Sequence, residues 1–99
     1  MADLESLISI NAVSLGVVAD DWRAAVRAAG ALLVEAGVTA PAYTDAMIAT
    51  VDAHGPYIVI TPGFALPHAR PDDSVLRTGL SFVRLAAPVE FGAGDNDPV

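Results

Sequence analysis

From Trp22 to Ala36 the apolar positions fall every three or four residues: Trp22, Ala25, Val26, Ala29, Leu32, Leu33 and Ala36. That spacing predicts an amphipathic helix over 21–36. Asp20 or Asp21 can accept from free N–H groups at its start, and Gly37 is a natural stop. A second stripe (Tyr43, Ala46, Met47, Thr50, Val51) predicts a second helix. Thr39 is its candidate cap, Pro41 fits its first turn and Gly55-Pro56 ends it. His54 follows Tyr43 by eleven residues, about three turns, which sets it on the face of Tyr43 and Met47 in the last turn.

Beyond Gly55 the pattern changes period. Tyr57–Thr61 is aromatic and β-branched and predicts a strand, Pro62-Gly63 a turn, and Phe64–Leu66 a short apolar piece. Pro71–Ser74 is polar and turn-like. Thr78–Leu85 predicts a strand with Leu80, Phe82 and Arg84 on one face and Ser81, Val83 and Leu85 on the other. Val89–Phe91 suggests a short strand after Pro88, and 92–97 a loop; Ser9–Val18 is ambiguous, with Ile10, Val13, Leu15 and Val17 able to begin a strand. Helices precede strands, which points to an α/β fold: a layered mixed sheet with flanking helices.

Ninety-nine residues allow one domain. The apolar fraction of 54% is high for that length, because small domains bury proportionately less surface. Either the core is dense, or apolar surface awaits a partner, a second copy or a further segment; we expect the chain to be the front part of a longer domain. With no cysteine, no disulfide framework or thiolate metal site is available, as suits a reducing cytoplasm. No apolar run reaches membrane-spanning length, and the acidic opening lacks the basic region of a secretory signal, so direct membrane insertion is not expected. The formal charge is −7 and lysine is absent, which argues against a nucleic-acid surface and fits a partner with a basic patch, or solubility alone.

The chemistry concentrates in residues 54–71, His-Gly-Pro-Tyr-Ile-Val-Ile-Thr-Pro-Gly-Phe-Ala-Leu-Pro-His-Ala-Arg-Pro. Both histidines and four of the seven prolines lie here. Pro67 restricts the backbone before His68, and a neutral imidazole held there is a candidate nucleophile. Arg70 can meet an anion bidentately, and Gly63 permits close backbone approach to one. His54 is a second imidazole that could support His68, or simply complement a helix end. The bland alternatives are a backbone-satisfied His68 and an Arg70 paired with Asp72 or Asp73. Two histidines without an HxH or HxxxH arrangement do not suggest a metal site. A nucleophile elbow and a Walker-type loop are both missing. A nucleophilic nitrogen beside an anion clamp suggests phosphoryl chemistry.

The segment Pro62-Gly63-Phe64-Ala65-Leu66-Pro67-His68-Ala69-Arg70-Pro71 resembles the phosphohistidine signature of enzyme IIA proteins of the bacterial phosphoenolpyruvate:sugar phosphotransferase system (PTS), mannitol/fructose-like class. His54–Tyr57, Thr78–Val83, Pro88–Phe91 and Asn96–Val99 are more similar to its ascorbate-type branch. The resemblance implies that His68 takes a phosphoryl group from phospho-HPr and passes it to a cysteine of the cognate enzyme IIB, serving a membrane permease, with no cofactor. It implies a cytoplasmic protein and the family's α/β fold. The family's arginine in the helix before the site is absent here, so His54 would serve instead, and the family domain runs on beyond Asp97-Pro98-Val99. The alternatives are a regulatory IIA-like module, or a truncated, inactive domain that binds partners without phosphotransfer.

Overall fold

In the computed structural model, which describes residues 12–99, two helices lie against short strands. Strand β1 spans Val13–Val17, helix α1 Trp22–Glu35, helix α2 Pro41–His54, strand β2 Val59–Thr61, strand β3 Phe64–Ala65 and strand β4 Phe82–Leu85; a 3-10 turn spans Gly94–Asn96. The α/β mixture is as expected. Among the described residues the strands form two pairs, β1 parallel to β4 and β2 antiparallel to β3. The ambiguous segment around Val13 is a strand because β4 supplies its partner; the part of that segment before residue 12 lies outside the described residues.

Asp21 caps α1 through its carboxylate, which accepts from the Ala24 N–H at 2.8 Å. At the other end the Arg77 guanidinium donates to the Ala36 carbonyl at 2.6 Å, so a cation meets the negative end of the helix. Thr39 does not cap α2. Ala40 holds the cap position without a side-chain bond. An isolated antiparallel bridge to Val75 draws Thr39 away, and the hydroxyl is buried without a partner among the described residues. The two helices approach closely at Gly30, where an added Cβ would sit 2.1 Å from Thr44 Oγ1. Arg23 and Asp52 form an ion pair across them.

The core is built from both helices and the loops that follow. Val26, Met47 and Ile58 are fully buried, and Ala25, Ile48, Val51, Val59, Val89 and Phe91 pack with them. Burial of each large member contributes about 1.5–3 kcal/mol. The predicted strands are shorter than their apolar runs. Tyr57 and Val59 donate to Gly55 and Pro56, so a turn consumes the start of the first run. β4 keeps the predicted alternation, with Val83 and Leu85 inward and Phe82 and Arg84 outward. Val89–Phe91 is not a strand, although Val89 and Val99 exchange two backbone bonds at 2.9 Å each. Part of the apolar content is not core: Ile60 is 56% and Leu76 61% exposed. No helix among the described residues is long and apolar enough to cross a membrane.

Candidate functional site

The β2–β3 hairpin carries the site. Thr61 and Phe64 face each other across Pro62-Gly63. Gly63 has φ of 78°, a left-handed conformation that side chains resist, so the tight reversal needs glycine. The 3-10 turn pins this hairpin from outside: Gly63 N–H donates to the Asn96 carbonyl at 3.2 Å, and the Asn96 amide donates to the Val59 carbonyl at 3.3 Å. Leu66 then continues the pairing by donating to Ile58 at 2.8 Å. After Leu66 the chain runs without regular structure through residue 72.

His68 lies in that irregular stretch and is exposed. Its Nδ1 is 2.8 Å from the Leu66 carbonyl oxygen. A carbonyl only accepts, so Nδ1 carries a proton, and in the neutral ring Nε2 holds the lone pair. The Tyr57 ring meets the imidazole edge-on, with centroids 5.2 Å apart and planes at 89°. The Tyr57 hydroxyl donates to the His68 carbonyl at 3.3 Å. Ala69 packs against the core, while His68 and Arg70 on either side are exposed. The imidazole and guanidinium thus lie open to solvent on either side of a part-buried alanine.

Arg70 does not pair with Asp72 or Asp73; the ion pair among the described residues is Arg23–Asp52. Asp72 is engaged otherwise. Its carboxylate accepts from the Ser74 hydroxyl and from the Ser74 N–H, and these bonds hold its pKa below the ordinary aspartate value. His54 ends α2 and is exposed, while Met47 on the same stripe is buried; the helix outruns the core. No hydrogen bond joins His54 to His68 among the described residues. No metal-binding cluster of histidine and carboxylates occurs among them either.

A groove of about 720 Å³ opens between the helices, the hairpin and β4; Met47, Phe64, Leu66, His68, Leu80 and Phe82 line it. The apolar stripe of α2 gives Tyr43 only a core position. A tyrosine on an otherwise apolar stripe was the available signal, since a half-buried phenol needs a polar partner. That partner is Ala69 (below).

The family model for the phosphoenolpyruvate-dependent sugar phosphotransferase system, EIIA 2, matches residues 6–99. The chain belongs to this EIIA family. Two similar proteins are the ascorbate-specific PTS system EIIA components of Salmonella typhimurium (strain LT2) and Escherichia coli (strain K12), 45% and 44% identical over 95 residues. Each match covers 96% of this EIIA chain and 62% of the relative. The chain thus spans less than two thirds of the length of these curated relatives. Its fold is similar to the solution structure of the mannitol-specific cryptic phosphotransferase enzyme IIA from Escherichia coli, with a TM-score of 0.85 at 30% identity, over 97% of this chain and 65% of that one.

Proposed function

We propose that this EIIA chain is the phosphoacceptor part of a phosphocarrier in which His68 Nε2 receives a phosphoryl group from phospho-HPr and gives it to a cysteine of a cognate enzyme IIB. The observation that carries the reading is the Nδ1 bond to the Leu66 carbonyl, at 2.8 Å on an exposed imidazole. In the neutral ring it leaves the other nitrogen free to attack, on a side chain open to solvent.

In the first step the Nε2 lone pair forms a bond to phosphorus while the donor's N–P bond breaks and the donor nitrogen keeps that electron pair. Positive charge that develops on the ring spreads to Nδ1–H, where the Leu66 carbonyl stabilises it. In the second step a cysteine thiolate attacks phosphorus and Nε2 recovers its lone pair. The proton on Nδ1 need not move in either step. A loose transition state asks chiefly for in-line positioning and charge stabilisation. Arg70, exposed two residues on, is assigned the phosphoryl oxygens, and the Gly63 turn the close backbone approach. His54 is assigned the role of a second imidazole that assists transfer. Exposed Phe64, Leu66 and Tyr57 give a docked partner apolar surface with which to exclude water. The likeness to ascorbate-specific components supports L-ascorbate uptake as the process served by the permease.

The test is phosphorylation of the chain by labelled phosphoenolpyruvate, enzyme I and HPr. The wild type should gain an acid-labile phosphate that His68→Ala lacks. Equal labelling of the two, or no label on either, rules the assignment out. His54→Ala should slow labelling; an unchanged rate would return His54 to a helix-end role.

A further inference from the structure

Two hydroxyls near the site are not used by the chemistry above. Tyr43 lies on α2, and its hydroxyl reaches a backbone 26 residues further along the chain. It accepts from the Ala69 N–H at 3.0 Å and donates to the Ala69 carbonyl at 3.1 Å. A residue in extended chain presents both groups to one side, where a neighbouring strand would normally satisfy them. Among the described residues no strand pairs with residues 67–70, and the single phenol takes that place. With the Ala69 methyl packed on the core and its peptide groups tied to a helix, the side on which His68 and Arg70 emerge is decided.

Tyr57 acts on the same residue from the hairpin side. Its ring edge meets the imidazole, and its hydroxyl holds the His68 carbonyl. Thus the peptide that follows the Cα–Cβ bond aiming the ring is held at both its His68 carbonyl and its Ala69 N–H, and the Leu66 carbonyl holds the ring itself. We propose that Tyr43 and Tyr57 are positioning residues: Tyr43 clamps the backbone of an otherwise irregular segment, and Tyr57 fixes the imidazole so that Nδ1 stays on Leu66 and Nε2 stays free. This rests on the reading of His68 as phosphoacceptor. Displacements of about 1 Å at a reacting group cost up to about a hundredfold in rate.

The experiment pairs Tyr43→Phe, which removes both Ala69 bonds and keeps the ring, with Tyr57→Leu, which removes an exposed ring from outside the core. Two readouts are taken on each: the initial rate of labelling by phospho-HPr, and the His68 tautomer from imidazole 15N shifts in the unphosphorylated chain. Circular dichroism confirms that each variant is folded. Expected for both variants are a rate about tenfold lower at unchanged final extent, and a shift from the single Nδ1–H tautomer toward a mixture. A folded pair that labels at the wild-type rate with an unmoved tautomer overturns the clamp. Should the carrier reading fail instead, the wild type takes no label while the tautomer still moves in the variants, so the two failures are distinct. If Tyr43→Phe unfolds, Tyr57→Leu alone decides by the same two readouts.

Discussion

Gly30→Ala is expected to destabilise the protein although alanine is the better helix former. The substitution gains about 0.5–1 kcal/mol because glycine loses more backbone freedom on folding. Against that, the new Cβ would lie 2.1 Å from Thr44 Oγ1, 2.6 Å from Thr44 Cγ2 and 2.8 Å from Thr44 Cβ. Rotation about χ1 can move the first two atoms away. It cannot move Thr44 Cβ, so α1 and α2 must separate by at least about half an ångström to reach ordinary carbon contact. Overpacking of this kind costs about 1–3 kcal/mol. We expect a net loss of about 1–2 kcal/mol, which for a domain of this size lowers Tm by about 5–15 °C. Thermal melts followed by circular dichroism measure it. A Thr44→Ala background removes two of the three clashing atoms and should recover part of the loss, giving a favourable coupling in a double-mutant cycle. A Tm in Gly30→Ala equal to or above wild type refutes the reasoning. The crossing also bears on the proposed clamp, because Tyr43 precedes Thr44 and its hydroxyl holds Ala69.

Thr39→Val replaces a buried hydroxyl, unpartnered among the described residues, with a methyl of similar shape; denaturant unfolding should show a gain of about 1 kcal/mol, and a loss would mean the hydroxyl has a partner. Acid should weaken the fold through Asp72 and Asp97. Desolvation pushes the Asp97 carboxyl up, but the Phe91 and Ala93 N–H groups that donate to it outweigh this and leave it below its ordinary value. A depressed native pKa stabilises above the unfolded value near 3.9 and is lost as pH falls through the native value. Stability should therefore be flat near neutrality in respect of these groups and decline below about pH 4. Asp97→Asn, which turns an amide toward one of those N–H donors, should lower Tm at pH 7 and shrink the acid decline; an unaltered acid limb would remove Asp97 from the account.

Both helices were legible because their stripes are long and regular, and tertiary contact needed only to bury the faces that periodicity marks. Asp21 and Gly55 acted where local chemistry put them. Thr39 did not, because its bridge to Val75, distant in sequence, outweighed a local cap. Strand limits were legible only in outline: whether Val13–Val17 pairs, and how much of 78–85 does, depends on a partner across the chain. The segment around His68 was legible as chemistry from Pro67, His68 and Arg70.

What the chain's residues determined alone is a pair of helices followed by strands, and an imidazole after a proline beside an arginine. These depend on spacing and on conformational restriction within a few residues. Only the tertiary structure decided that Tyr57 borders the ring and that Tyr43 anchors Ala69. Hydrogen bonds and ring contacts between residues brought together by folding have no signature in linear order.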